Sequence, residues 1–109
     1  MELQTITDAR GNLTVVEKLP FDIKRVYYLH GIPEDAVRGG HKHKETERVI
    51  VAISGEFDVE IGERKLKMSS PSFGLFVPKM TYLKLSNFSN KAVCLVLAST
   101  EHNEDDCIR

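Results

Sequence analysis

The chain has 109 residues, of which 41% are hydrophobic and 28% are charged, a composition typical of one globular domain spanning residues 1–109. Its formal net charge of −1, with basic residues scattered along the sequence, argues against a nucleic-acid-binding domain. No apolar run is long enough to cross a bilayer and no hydrophobic leader follows Met1, so we expect a cytoplasmic protein without membrane contact.

Short apolar or alternating runs recur between turn residues, and this pattern predicts an all-β sandwich or barrel. In chain order the predicted strands are Leu13–Val16, Ile23–His30, Glu47–Ile53, Glu56–Ile61, Lys65–Met68, Gly74–Val77, Tyr82–Leu85 and Ala92–Ala98. Ser54-Gly55 and Gly62-Glu63 separate neighbouring runs and predict two tight hairpins. The best helix candidate is a single turn near Pro33–Val37.

The two cysteines are too few for a disulfide framework, which agrees with a reducing compartment. Cys94 lies in the continuously apolar run Ala92–Ala98, so we expect a buried thiol in a strand covered on both faces. The tail that begins at Glu101 is acidic and polar. Its carboxylates Glu104, Asp105 and Asp106 are predicted to form a solvated run.

The most informative stretch is His41-x-His43, followed by Glu47 and an apolar, β-branched run. It has the spacing H-x-H-x3-E of the first cupin motif. In one continuous strand the two imidazoles and Glu47 would share a face with Val49 and Val51, and that face would line a pocket. Such ligands suit a divalent metal. The alternative is a charged surface turn, and the later stretch Gly74–Leu85 contains no histidine to complete a metal site.

Two arginines stand near possible ligand-binding groups. Alternation along a strand puts Arg25 and Tyr27 on one face, where they suit an anionic, hydrogen-bonding ligand such as a sugar phosphate. Arg38, before Gly39-Gly40, is placed to clamp a phosphate. An ordinary strand and an ordinary loop explain the same residues. Tyr82 is a further candidate, as an aromatic ring that stacks on a base or a sugar.

Taken in order, these segments resemble the WxcM-like cupins that act as TDP-4-keto-6-deoxyhexose 3,4-ketoisomerases. The resemblance is carried by Asp8–Leu13, Pro20–Tyr28, Arg38–Lys44, Gly74–Val77, Val96–Ser99 and Asp106–Arg109. It implies a small single-domain cupin, a double-stranded β-helix or jelly-roll barrel. It also implies a homodimer with exchanged N-terminal strands, and a TDP-sugar ligand bound without metal or other cofactor.

The family moves a ketone from C-4 to C-3 of the sugar through an enediol-type intermediate. Its paired histidines match His41 and His43, its strand tyrosines match Tyr27 and Tyr28, and its Arg-Gly matches Arg38-Gly39. Histidine suits proton abstraction beside a carbonyl because its pKa lies near working pH. We therefore predict His43 as the base, assisted by His41 and Tyr27.

The predicted substrate-binding residues are Arg25, Tyr28, Arg38, Glu47 and Tyr82. The chain departs from the family pattern at Arg48, which replaces a glutamine, and at Tyr82-Leu83-Lys84, where the family tends to place Trp-His-Glu. Two alternatives therefore stay open. One is a non-catalytic sugar- or nucleotide-binding cupin, and the other is a metal-dependent cupin that uses His41, His43 and Glu47.

Overall fold

The computed structural model describes residues 1–108, which form β-strands with one short 3₁₀ turn at Glu104–Asp106. The strands are β1 (Gln4–Asp8), β2 (Gly11–Val15), β3 (Arg25–Leu29), β4 (Arg38–His43), β5 (Arg48–Ser54), β6 (Phe57–Ile61), β7 (Arg64–Met68), β8 (Gly74–Val77), β9 (Leu83–Ser86), β10 (Val93–Ala98) and β11 (Cys107–Ile108). Over the same residues, no helix is long and apolar enough to cross a membrane.

Two antiparallel sheets face each other. One has four strands in the order β3-β10-β5-β8, and the other has five in the order β11-β4-β9-β6-β7. From β3 to β11 the chain passes repeatedly from one sheet to the other, and only β6 and β7 are sequence neighbours within a sheet. This is jelly-roll connectivity, and it confirms the predicted all-β fold.

The main core fills the space between the sheets. Ile50 and Ala52 of β5 and Val96 of β10 meet Phe57 and Val59 of β6, and all five are nearly or completely buried. Alternation along each strand produces this layer because every second side chain points inward. The β5–β10 pair is central in its sheet, which explains why both strands are apolar on both faces.

A second cluster covers the outer face of the four-stranded sheet. Leu3 packs there on Val49, Val51 and Leu97, which are the outward-pointing residues of β5 and β10. The N-terminal segment is tied down by the Leu3 amide, which donates to the Ser72 carbonyl over 2.8 Å. The segment from residue 1 to 3 is therefore part of the packed structure.

One of the two predicted hairpins is present and the other is wrong. Gly62-Glu63 does join a hairpin, because β6 pairs with β7 and Ile61 lies opposite Arg64. Ser54-Gly55 does not, since β5 pairs with β8 and β10 while β6 belongs to the other sheet. The chain there crosses between sheets. The region Pro33–Val37 makes a turn without helix.

The expected continuous strand from His41 to Ile53 is also wrong. β4 ends at His43 and β5 begins at Arg48, in the opposite sheet. The irregular link between them changes which residues point inward. Arg48 and Ile50 therefore face the space between the sheets, whereas Val49 and Val51 face the outer cluster.

Candidate active site

A cavity of about 880 Å³ lies between the two sheets, a size suited to a small-molecule ligand. Aliphatic side chains from both sheets form part of its wall: Leu29, Ile50, Leu83, Leu85 and Val96. Its polar lining comes from three strands, the link between β4 and β5, and the tail, namely Arg25, Tyr27, Arg38, His41, His43, Thr46, Arg48, His102, Asn103, Glu104, Asp106 and Cys107. The cavity thus combines imidazoles, guanidiniums and one buried carboxylate.

His41 and His43 lie on the same face of β4, as the i, i+2 spacing predicts. Their rings stack with centroids 5.3 Å apart and an interplanar angle of 15°. Burial first, and then the charge of Arg48, lower the pKa of His43 from 6.5 to about 4, while Asp106 opposes the shift. This pKa lies below the value near working pH that the sequence predicts for the base. His43 is therefore neutral at physiological pH, which leaves a ring nitrogen free to accept a proton.

Asp106 is the carboxylate behind His43. Its Oδ2 lies 3.3 Å from Nδ1 of His43, an ion-pair distance without hydrogen-bond geometry, and its side chain is only 4% exposed. The Glu45 amide donates to its Oδ1 over 2.7 Å, and the Thr46 hydroxyl donates to its Oδ2. Burial alone would raise the pKa of Asp106, but these hydrogen bonds and His43 hold it below its usual value. Asp106 therefore stays ionised.

The prediction of a solvated acidic tail is wrong for Asp106 and correct for its neighbours. Glu104 and Asp105 are exposed, whereas the 3₁₀ turn and β11 fold Asp106 inward against β4. Cys107 lies opposite His43 in the β11–β4 ladder. Composition alone suggests an exposed tail. The one sequence signal for the observed arrangement is the family-like Asp106-x-Ile-Arg motif.

Arg48 is the second cavity residue that the sequence did not predict. It is only 5% exposed, and its Nε and one terminal nitrogen are buried without a hydrogen-bond partner among residues 1–108. Burial lowers the pKa of this guanidinium, and the nearby Tyr27 phenol counteracts the shift. An arginine still carries its charge under such conditions, and an unpaired buried charge is costly. Arg48 therefore offers unused donors to a ligand in the cavity.

Arg25 and Tyr27 lie side by side on the inner face of β3. The Arg25 guanidinium carbon lies 4.8 Å from the centroid of the Tyr27 ring, a cation–π contact. A terminal nitrogen of Arg25 lies 3.1 Å from Nδ1 of His102. The Nε of Arg25 is buried and without a partner in the described part of the chain. Arg25 and Tyr27 therefore share one face of β3, as predicted, and that face lines the cavity.

Arg38 reaches the cavity because β4 contains a bulge. Arg38 lies opposite Leu85 and His41 opposite Leu83, so Gly39 and Gly40 together face Lys84 alone. The extra residue lets Arg38 and His41, three positions apart, point to the same side. Gly39 has φ +83°, and a Cβ there would lie 2.6 Å from the Leu83 carbonyl oxygen. Only glycine fits this close approach.

Three of the predicted substrate-binding residues lie outside the cavity lining. Tyr28 is 61% exposed on the outer face of β3, where its ring meets His30. Glu47 points away from the histidines, because the link between β4 and β5 turns Arg48 inward instead. Tyr82 is half-buried behind the Gly39–Gly40 bulge. The ligand set His41, His43 and Glu47 is therefore not assembled by the fold.

The chain matches the family model FdtA, described as WxcM-like, C-terminal, over residues 1–109. It belongs to this family. The WxcM-like chain is 34% identical to a TDP-4-oxo-6-deoxy-α-D-glucose-3,4-oxoisomerase from Aneurinibacillus thermoaerophilus, over 100% of its own length and 84% of the relative.

Solved structures of similar proteins agree with this assignment and confirm the cupin-type jelly roll. One is the TDP-quinovose 3,4-ketoisomerase WlaRB from Campylobacter jejuni, with 36% identity and a TM-score of 0.94 over 99% of this WxcM-like chain and 88% of the other. Another is a histidine-to-asparagine mutant of the 3,4-ketoisomerase QdtA from Thermoanaerobacterium thermosaccharolyticum, in complex with TDP-4-keto-6-deoxyglucose. It shares 33% identity and a TM-score of 0.90 over 99% of this chain and 83% of that one.

Proposed function

We propose that this protein is a 3,4-ketoisomerase of a TDP-4-keto-6-deoxyhexose. The observation that carries the proposal is the His43–Asp106 pair at 3.3 Å, which faces the same cavity as Arg48, whose Nε and one terminal nitrogen have no hydrogen-bond partner among residues 1–108. Base and cation beside each other are what proton transfer next to a carbonyl requires. The names of the similar proteins support the same reaction and the same substrate class.

The charges of the cavity suit a nucleotide diphosphate. Arg25, Arg38 and Arg48 all line it, and Asp106 is already engaged by Thr46 and the Glu45 amide. Guanidinium groups bind phosphate oxygens through two parallel hydrogen bonds. We assign Arg38 to the diphosphate and Arg25, stacked on Tyr27, to orientation of the sugar.

The first chemical step moves the C-3 proton of the sugar to the free nitrogen of His43. The electrons of the broken C–H bond form the C-3–C-4 double bond, and the C-4 carbonyl becomes an enediolate oxygen. Arg48 stabilises this negative charge, and Asp106 stabilises the imidazolium through Nδ1.

The second step completes the movement of the ketone from C-4 to C-3. The C-4 oxygen gains a proton, the C-3 hydroxyl loses its proton, and C-4 takes up the proton that makes the 3-ketone. His41, stacked on His43, and the Tyr27 phenol are the groups assigned to this relay. Every proton removed is returned, so no redox cofactor is needed for the balance.

The deciding experiment uses TDP-4-keto-6-deoxyglucose and the purified protein in deuterated water, followed by NMR. Ketone migration with deuterium incorporation at the reacting carbons supports the isomerase. Thermal stabilisation by TDP without any exchange supports the alternative, a non-catalytic sugar-nucleotide-binding cupin. Activity that is lost to a chelator and restored by a metal would contradict the metal-independent reaction.

We further propose that two copies of the chain form a homodimer by exchange of N-terminal strands, in the cytoplasm. Within residues 1–108, hairpin β1–β2 pairs with neither main sheet, and all of β1 is exposed in a single copy. Ile6 and Leu13 lie opposite each other on one face of this hairpin, and each is more than half exposed, at 53% and 57%. A second chain is the partner that would cover them.

A further inference from the structure

Beyond the proposed isomerase, we infer that His41, His43 and Cys107 form a binding site for Zn²⁺ or a similar thiophilic divalent ion, and that this ion blocks the cavity when bound. One donor atom from each residue lies within 4.8 Å of the other two. Nε2 of His43 is 3.9 Å from Sγ of Cys107. Two imidazoles and a thiol are ligands that zinc prefers.

The strand register brings the three donors together. His41 and His43 point the same way along β4, and Cys107 is the direct neighbour of His43 across the β11–β4 ladder. Tetrahedral zinc with ordinary bond lengths would hold a nitrogen and a sulfur ligand roughly 3.6 Å apart. The pair His43–Cys107 is within a few tenths of an ångström of that separation, so small side-chain rotations suffice.

A carboxylate lies beside one of the ligands. Ligating histidines commonly present their second ring nitrogen to a carboxylate, which fixes the ring and strengthens the ligand. Nδ1 of His43 lies 3.3 Å from Oδ2 of Asp106, while Nε2 faces Cys107. The contact with Asp106 is independent of the distances among the three donors and points to the same site.

Charge and access also suit a cation here. On binding, the Cys107 thiol releases its proton to solvent, so the thiolate and Asp106 together offset the two positive charges of the ion. Arg48 and Arg25 oppose it from the same cavity, which limits the affinity. Cys107 is exposed, so an ion can enter from solvent, and three protein ligands leave a fourth position for water.

The test measures metal binding by reduced, metal-stripped, untagged full-length protein, without any nucleotide sugar. Co²⁺ serves as the spectroscopic probe, and Zn²⁺ then displaces it. The wild type should bind one Co²⁺ per chain with a sulfur-to-cobalt charge-transfer band. Cys107→Ser should lose that band and bind Zn²⁺ at least about 100-fold more weakly, since even supporting residues contribute about 10–100-fold.

Cys94→Ala is the matched control, because Cys94 is buried in the core and away from the cavity. It should keep the charge-transfer band. Equal zinc affinity of wild type and Cys107→Ser, or a wild type that binds no stoichiometric ion, would overturn the proposal.

Zn²⁺ should also compete with TDP in the wild type and Cys94→Ala, but far less in Cys107→Ser. Since ion binding is measured without substrate, failure of the isomerase assignment would leave this result unaffected.

Discussion

His43 is the residue on which the proposed proton transfer depends. His43→Asn keeps a polar side chain in the cavity but removes the nitrogen that accepts the C-3 proton, so turnover should fall by about 10²–10⁴-fold while TDP still binds. His30→Asn is the matched control, because His30 is exposed on the outer side of the molecule against Tyr28. NMR turnover and TDP titration measure both variants. Near-normal turnover of His43→Asn would exclude His43 as the base.

We predict two effects of Arg48, one on kcat and one on the pKa of His43, and two substitutions should separate them. Loss of a donor to a developing oxyanion typically costs about 10²–10³ in kcat, so Arg48→Gln should show a loss of this order. The charge of Arg48 also contributes to the lowered pKa of His43. Its removal should raise that pKa from about 4 towards 6.5, so the acid limb of kcat/KM moves to higher pH.

Arg48→Lys provides the comparison for this pH dependence. It keeps the positive charge, so the acid limb should remain low, but it lacks the planar fork and should still lose kcat. The groups that act electrostatically on His43 in both variants are Asp106, His41 and Arg25. An Arg48→Gln enzyme with an unshifted acid limb and normal kcat would contradict the role assigned to Arg48.

Cavity residues that follow a strand pattern could be predicted from the sequence, whereas those that depend on tertiary structure could not. Arg25, Tyr27, His41 and His43 alternate along β3 and β4, so their shared face is predictable. The prediction that Glu47 points inward is wrong, because the irregular link between β4 and β5 exchanges the inward and outward positions that follow it. The inward position of Asp106 is not predictable from composition or periodicity, because neither shows that a polar tail folds back onto β4, and only the family-like motif at Asp106–Arg109 marks this residue.

At the level of the strands, the bulge in β4 is the feature that brings Arg38 and His41 to one side. Gly39→Ala should disrupt it, because the added Cβ would meet the Leu83 carbonyl oxygen at 2.6 Å in a backbone with φ +83°. We expect a cost of about 1–2 kcal/mol from the backbone conformation and roughly 1–3 kcal/mol from the overlap.

Gly31→Ala separates these two contributions. Gly31 also has positive φ, at +62°, but a Cβ added to it would have no neighbouring atom of the described chain within 4 Å. It should therefore show only the conformational cost of about 1–2 kcal/mol. Denaturant unfolding of both variants measures the difference. Equal stability of Gly39→Ala and Gly31→Ala would show that the close approach of β4 and β9 does not constrain residue 39.

For the whole molecule, the hairpin β1–β2 has two chemically different faces. Thr5 lies opposite Thr14 and Thr7 opposite Asn12, and both pairs are hydrogen-bonded, at 2.9 and 2.6 Å. The other face carries Ile6 and Leu13, which a single chain leaves exposed. We expect a partner to cover these side chains, because an isolated two-stranded hairpin is only marginally stable and exposed apolar patches often mark interaction sites.

The predicted dimer follows from this asymmetry. Deletion of Met1–Asp8 should weaken or abolish the dimer and lower the melting temperature, but it also removes Leu3 from the outer cluster and so affects the fold directly. Leu13→Lys is cleaner, because it places a charge on the apolar face of an exposed hairpin and leaves both cores intact. Thr5→Lys, on the hydroxyl-bearing face, is the matched control and should remain dimeric. Light scattering over a wide concentration range measures all four proteins, and a full-length chain that stays monomeric throughout would refute strand exchange.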